Sequence, residues 1–211
     1  MATTQDMGTR IELVPMDSHC SDITIALYRQ DIDGIPGYRI HTYSQHPSAQ
    51  ERIEAMRQTM LVLGGVEIDD GGFLHFPCGH AHQFAIRRLF LDACKRDPQR
   101  PLEPLPLHIF DKKGDCEIFA DSLSNGRYAV RAEGNNTGIE RRTATVTRGL
   151  IRLGEMEENT DNANLAAFGC GQAHDALVAL LLVRAPNVRS AMREAEEMSS
   201  RGQLVAPSAQ N

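Results

Sequence analysis

Tryptophan is absent from the 211-residue sequence, and only 5% of the residues are aromatic. Proteins that stack bases or sugars need exposed rings, so this composition argues weakly against such a binding platform. The formal net charge of −6 likewise offers no basic surface for a phosphate backbone or an anionic membrane. We therefore expect neither nucleic acid nor a membrane among the partners.

Long apolar segments and a targeting signal are also lacking. The longest apolar run, Ala176 to Val183, is far shorter than the roughly 20 residues that span a bilayer. The N-terminal residues MATTQDMGTR contain no basic region followed by an apolar one, as a secretory signal would. Five cysteines in such a chain indicate free thiols in a reducing compartment, so we expect a cytoplasmic protein.

The common nucleotide and hydrolase motifs are missing too. The sequence contains no Gly-x-Gly-x-x-Gly, P-loop or Gly-x-Ser-x-Gly pattern, which leaves nucleotide binding, phosphoryl transfer and serine hydrolysis without support. The overall composition, 41% apolar and 24% charged, is that of an ordinary globular protein. Function must therefore be sought in a pattern particular to this chain.

That pattern is an internal repeat. The segment FPCGHAH at Phe76–His82 returns as FGCGQAH at Phe168–His174, with phenylalanine, cysteine, glycine, alanine and histidine in the same order and spacing. The second cysteine follows the first by 92 residues (Cys78 and Cys170). Repetition at this distance predicts two copies of one structural unit.

The helix that precedes each copy of the motif repeats as well. Ser48 and Thr137 each precede a helical pattern and are followed three residues later by a glutamate, the signature of a capping box. Both helical patterns end at a glycine, Gly64 in the first copy and Gly154, 90 residues later, in the second. The whole region, and not only the motif, is therefore duplicated.

Strand patterns complete each half. The first half has three strand patterns before its first helix, at Ile11–Met16, Ile23–Tyr28 and Tyr38–Tyr43. Short strand candidates, Val66–Ile68 and Phe73–Phe76, lie between the two helices. The second half repeats the plan.

The fold class that follows is α+β. We expect internally duplicated β-β-β-α-β-α units, with antiparallel sheets packed with helices and a pseudo-two-fold relation between the copies. The first repeat lobe would cover residues 1–100, the second 101–201, and a flexible tail 202–211. A helix over the run Ala176–Val183 would be apolar on every side and therefore buried all round.

The repeated cysteine and histidine are four positions apart in each copy. In a helix that begins near the cysteine, this spacing sets both side chains on one face of the first turn. The positive end of the helix dipole would then favour the thiolate. Three interpretations of these pairs compete.

In the first interpretation the repeated residues are structural. Free cysteine is often buried like a small apolar residue, the glycine serves the turn, and the histidine packs on the preceding loop. The protein would then be a non-catalytic binding or assembly protein, and a homodimer formed through helix faces is one candidate assembly.

In the second interpretation one copy is catalytic. Cys170 would be the nucleophile, His174 the base, and Asp175 a carboxylate that orients the imidazole. The second copy is the better candidate because Gln172 and Asp175 flank its pair. Neighbouring residues on a helix do not face one another, however, which weakens the role assigned to Asp175.

In the third interpretation the pairs bind metal. Cys78, His82, Cys170 and His174 would together form a Cys₂His₂ set suited to tetrahedral zinc, with His80 as an extra ligand candidate. The spacing departs from the usual close clusters of zinc ligands. Stoichiometric zinc in the purified protein would distinguish this interpretation.

Taken together, these patterns predict a small-molecule site at the two turns. Besides the catalytic candidates, its ligand-binding residues would be Cys78, Gly79, His82, Gly171 and Gln172. Zinc is the one cofactor that the residues suggest. The sequence does not determine whether a reaction is catalysed.

Overall fold

The computed structural model describes residues 8–15, 23–135, 137–187, 189–190, 193 and 196–197. The chain divides into two units. The first unit contains Met1–Val62 and Val66–Leu102, and the second contains Leu63–Gly65 and Glu103–Gln203. The flexible tail predicted at 202–211 lies outside the described residues.

The first unit is built on a five-stranded antiparallel sheet, in the order β1-β2-β3-β5-β4. Two helices accompany the sheet. The elements are β1 (Thr9–Pro15), β2 (Thr24–Ile32), β3 (Ile35–Thr42), α1 (Pro47–Gly64), β4 (Glu67–Ile68), β5 (Leu74–His75) and α2 (Gln83–Lys95).

The second unit has the same sequence of elements and the same strand order. Its five-stranded antiparallel sheet runs β6-β7-β8-β10-β9. The elements are β6 (His108–Asp111), β7 (Cys116–Ser122), β8 (Arg127–Glu133), α3 (Ile139–Gly154), β9 (Glu157–Glu158), β10 (Leu165–Ala167) and α4 (Asp175–Leu182).

The α+β class predicted from the sequence is confirmed, and the matching order of the two units supports duplication. Each unit reads β-β-β-α-β-β-α, because the single β predicted between the two helices is a pair of short strands, as the candidates Val66–Ile68 and Phe73–Phe76 indicate for the first unit. In the first unit a tight turn folds the segment after α1 back on itself. In that turn the Asp69 amide donates to the Phe73 carbonyl (3.0 Å), and the Phe73 amide donates to the Asp69 carboxylate (2.8 Å). The pseudo-two-fold relation stays a prediction.

The helix starts differ from the predicted capping boxes. α1 begins at Pro47, one residue before Ser48, and proline suits the first position of a helix because its missing N–H is not needed there. α3 begins at Ile139 after Gly138, which has no side chain and makes no side-chain cap. The helices thus form where predicted, but packing of their apolar faces rather than a capping box fixes where they begin.

The apolar faces of the helices form much of the core. The α1 stripe is buried at Ile53, Met56, Met60 and Leu63. The α4 helix is buried at every residue from Leu177 to Leu182, as expected for an apolar helix. Val183, the last residue of the predicted run, follows the helix and is 57% exposed, so the run is not buried over its whole length. No helix among the described residues is long and apolar enough to cross a membrane.

The second unit contains an ion pair between Arg142 and the buried side chain of Asp111. Two nitrogens of Arg142, Nε and Nη2, donate to the Asp111 carboxylate, with 2.8 Å between Nη2 and Oδ1. The amides of Lys113 and Gly114 donate to the same carboxylate. Burial acts to raise the pKa of Asp111, but the hydrogen bond and charge of Arg142 and these two amides outweigh it, so the pKa lies below its ordinary value.

Replacing Asp111 with asparagine should destabilise the protein by about 2–3 kcal/mol near neutral pH, because Arg142 loses its anion in a buried site. The lowered pKa sets the pH dependence of this effect. The ionised carboxylate stabilises the fold fully above its unfolded-state pKa of about 4, and that contribution is lost as the pH falls through the folded-state pKa. Urea denaturation of both proteins across this range measures the difference.

The matched control is Asp121→Asn, which removes a carboxylate whose pair with Arg131 is 45% exposed on each side. Solvent screening limits such a pair, so the control should change stability by about 0–1 kcal/mol. Equal losses for both variants, or a loss for Asp111→Asn that persists unchanged in acid, would contradict the assignment.

Candidate metal centre

Each repeated motif forms a tight turn closed by a backbone hydrogen bond. The Gly79 amide donates to the Phe76 carbonyl (2.9 Å), and the Gly171 amide donates to the Phe168 carbonyl (3.0 Å). The two glycines have φ angles of 70° and 72°, in the left-handed region that side chains with a Cβ adopt only with strain. This requirement accounts for the glycine that follows each cysteine.

The turn aims a backbone amide at each sulfur. The His80 amide donates to Cys78 Sγ (3.4 Å), and the Gln172 amide donates to Cys170 Sγ (3.5 Å). Both cysteines are half-buried. Each sulfur thus stays partly accessible to a metal ion or a small molecule, with a backbone donor fixed beside it.

The helices begin later than the sequence predicts. α2 starts at Gln83 and α4 at Asp175, so the histidines occupy the N-cap positions and the cysteines lie in the loop before them. His82 has left-handed backbone angles (φ 37°, ψ 49°), which no α-helix continues. The placement of the cysteines at the helix N-termini is therefore wrong. A loop amide, and not the helix dipole, faces each sulfur.

Cysteine and histidine nevertheless meet within each motif. The distance from Cys78 Sγ to His82 Nε2 is 3.1 Å, and that from Cys170 Sγ to His174 Nε2 is 3.2 Å. The turn replaces the helical turn that the spacing suggested, and it brings the same two side chains together.

A phenylalanine holds each imidazole ring. Phe76 contacts His82 and Phe168 contacts His174, in both cases edge to face with 4.9 Å between ring centroids. The interplanar angles are 79° and 82°. Edge-to-face packing restricts ring rotation, so the first residue of each motif orients its last.

Asp175 contacts a tyrosine. The Tyr128 hydroxyl donates to Asp175 Oδ1 (2.8 Å) and accepts a hydrogen bond from the His174 amide (2.6 Å). Burial, followed by the hydrogen bond to Asp175, raises the pKa of Tyr128, which keeps its hydroxyl protonated. Asp175 thus fixes the backbone of His174 through Tyr128.

The first unit has an equivalent tyrosine with a different partner. Tyr38 precedes Tyr128 by 90 residues, and its hydroxyl donates to the Ala81 carbonyl, one residue before His82. Sequence reasoning missed this pair of buried tyrosines. The sequence contained the signal, because the two tyrosines are separated by the same 90 residues as Gly64 and Gly154, which end the two helical patterns.

Each motif thus offers one sulfur and one imidazole nitrogen as potential metal ligands. Cys78, His82, Cys170 and His174 are together residues that could hold a metal ion. Two sulfurs and two imidazole nitrogens form a donor set that suits zinc. The cysteine and histidine that the sequence nominated in each copy are thus brought together.

The other nominated residues support these turns. Gly79 and Gly171 provide the left-handed backbone, and Gln172 provides its amide to Cys170 Sγ. His80 is exposed, and its ring nitrogen Nδ1 bonds to the carbonyl of Cys78 (3.0 Å), so it lies outside the ligand group.

Two other cysteines differ sharply from the pair in the motifs. Cys94 and Cys116 are buried free thiols. Burial raises the pKa of both, for Cys94 to about 12. A thiol that stays protonated is a poor metal ligand and a poor nucleophile, so these two cysteines act as core residues.

Fold and site together define a duplicated α+β protein with a Cys/His group able to bind metal. Comparison with known proteins found no protein-family model, no curated protein and no solved structure that matches this chain. The chemistry of the site therefore has to be argued from its own geometry.

Tyr128→Phe should destabilise the protein by about 1–3 kcal/mol, because the His174 amide and Asp175 both lose a partner. A double-mutant cycle with Asp175→Asn isolates the contact between the two side chains. We expect a coupling energy of about 1 kcal/mol from urea denaturation.

The control for this cycle is Tyr43→Phe, which removes a hydroxyl that contacts the Tyr28 hydroxyl, on a side chain that is 55% exposed. Its effect should stay at or below about 1 kcal/mol, because both hydroxyls are neutral and the site is partly open to water. Additive effects of Tyr128→Phe and Asp175→Asn would show that the hydroxyl does not act through Asp175.

Proposed function

We propose that this protein binds one zinc ion through Cys78, His82, Cys170 and His174, and that the zinc has a structural role. The contact between sulfur and imidazole nitrogen in each motif, at 3.1 and 3.2 Å, carries this proposal, because the chain presents two like pairs of metal ligands. Each pair is too small a set to hold zinc tightly alone, whereas the four together supply a complete tetrahedral shell.

Distances support a site of the right size. Zinc bonds of about 2.3 Å to sulfur and about 2.0–2.1 Å to nitrogen make the edges of a filled tetrahedron about 3.3–3.8 Å. The separations of 3.1 and 3.2 Å within the pairs are slightly below that range. Each pair therefore needs to open by only a few tenths of an ångström, about the range of a side-chain adjustment, to bind one ion.

Ligand identity favours zinc. Magnesium and calcium take oxygen ligands, and none of the four residues offers one from its side chain. Thiolate with imidazole suits zinc, and a tetrahedral S₂N₂ arrangement is typical of it. The amides of His80 and Gln172 also donate to the two sulfurs, as the outer-shell groups that orient metal ligands do.

The number of ligands favours a structural role. Catalytic zinc sites keep one coordination position open for water or substrate, whereas four protein ligands close the shell. The phenylalanine contacts and the Tyr128 bond already hold both histidines. Zinc would therefore stabilise the folded chain and need not activate a bound molecule.

Metal analysis of purified protein should find one zinc per chain. The Cys78→Ser and Cys170→Ser variants should each lose stoichiometric zinc, because a weak hydroxyl ligand replaces a thiolate. Zinc binding to the folded state stabilises it, so chelation should lower the melting temperature of the wild type and re-addition should restore it. Cobalt(II) in the same site should show a thiolate charge-transfer band.

His80→Gln provides the matched control, since this histidine belongs to the first motif but lies outside the ligand group. The control should retain full zinc and show the wild-type response to chelation. Metal-free protein with undiminished stability, or zinc retained by both serine variants, would refute the proposal. Circular dichroism establishes that each variant is folded.

A nucleophilic thiol is the second candidate function, supported by the 3.2 Å contact between Cys170 and His174. It predicts rapid, stoichiometric alkylation of Cys170 in folded protein after chelation, and suppression of that reaction by His174→Gln. If zinc is instead a permanent structural ion, zinc-loaded protein should resist alkylation because coordination occupies the sulfur. Peptide mapping of the modified cysteine distinguishes the two functions.

A further inference from the structure

An arginine-rich cleft lies in the first unit, apart from the cysteine and histidine residues. It has a volume of about 250 Å³ and is formed by α1, the C-terminal end of α2 and the chain that follows. Three arginines line it: Arg52, Arg96 and Arg100. No aspartate or glutamate is among the described residues that line it, so the cleft carries an excess of positive charge.

The Arg52 guanidinium is only partly satisfied. Its Nη2 donates to the carbonyl of Cys94 near the end of α2, whereas Nε is buried and has no hydrogen-bond partner among the described residues. A buried donor that lacks an acceptor is destabilising. An acceptor supplied by a ligand in the cleft would remove that penalty.

Capping of carbonyls explains part of the arrangement. Arg52 and Arg96 each bind one carbonyl, those of Cys94 and Pro101. Such contacts are common near the C-terminal end of a helix. These two carbonyl contacts leave Arg52 Nε unsatisfied and give no reason for a third arginine in the cleft. Binding of backbone carbonyls therefore does not account for all three arginines.

The second unit shows what an arginine at this position binds. Arg142 follows Arg52 by 90 residues, the offset that relates the ends of α1 and α3. It also lines a cleft, here beside the residues that follow α4. Its Nε and Nη2 hold both oxygens of the Asp111 carboxylate. In the second unit, therefore, a carboxylate accepts the hydrogen bond from Nε of the equivalent arginine.

We propose that the first-unit cleft binds a small dicarboxylate. One carboxylate would engage Arg52 Nε in the way that Asp111 engages Arg142, and the second would be held by Arg96 and Arg100. Two negative charges match a cleft that holds three guanidinium groups and no acid. The inference does not depend on zinc, because none of these residues belongs to the ligand group.

Isothermal titration of the full-length protein with succinate tests the inference. Succinamide, which has the same length and no charge, and inorganic phosphate are titrated in parallel. We expect saturable one-site binding of succinate, at least tenfold tighter than phosphate, and no binding of succinamide. Arg52→Gln should weaken succinate binding at least tenfold. Arg52→Lys should also weaken it, because lysine retains the charge but lacks the two-donor fork.

Two further variants keep the test decisive. Arg100→Gln changes an exposed residue at the rim of the cleft, where loss of folding is not expected, and should weaken succinate binding about three- to tenfold. Arg148→Gln removes an exposed arginine outside the cleft and should leave binding unchanged. Equal weakening by Arg148→Gln would show a nonspecific charge effect and overturn the proposal.

The remaining outcomes also decide the question. Absence of succinate binding to the wild type would overturn the inference, as would binding unaffected by both Arg52→Gln and Arg100→Gln. Preference for phosphate over succinate would assign the cleft to a different class of anion and refute the dicarboxylate. Because zinc content is not expected to change in any of these variants, failure here is distinguishable from failure of the zinc site.

Discussion

The contact between cysteine sulfur and histidine nitrogen in each motif depends on one glycine with a positive φ angle. Gly79 and Gly171 let the chain close a tight turn, after which a loop amide faces the sulfur and the histidine reaches back to it. A side chain at either position would have to adopt a strained backbone conformation. The geometry of both potential ligand pairs therefore follows from local backbone chemistry, reinforced by the phenylalanine at the start of each turn.

Duplication has conserved this turn while its supports have diverged. In the second unit Tyr128 binds the His174 amide and Asp175, whereas in the first unit Tyr38 donates to a backbone carbonyl. The tyrosine thus has the same place in both units but different partners.

The two equivalent arginines illustrate divergence of another kind. Arg142 lies in a buried pair with a carboxylate of its own unit, which makes that contact part of the fold. Arg52 has a buried Nε without an acceptor among the described residues, and no aspartate or glutamate is among the described residues that line its cleft. The two equivalent arginines therefore differ in partner, since one holds a carboxylate and the other donates to a backbone carbonyl. An unsatisfied buried donor is costly to the fold.

The sequence by itself indicated the duplication, the α+β class and the cysteine and histidine of each motif, because fixed spacing and hydrophobic periodicity are local properties. It placed each cysteine in the first turn of a helix, whereas the cysteine lies in the loop before that helix, since a cysteine and a histidine four apart fit a helical turn and a glycine loop equally well. Tertiary structure decided what no local pattern contains. It joined Tyr128 to Asp175, residues 47 positions apart. Contacts between segments far apart in the chain depend on how sheets and helices pack, and packing is a property of the whole fold.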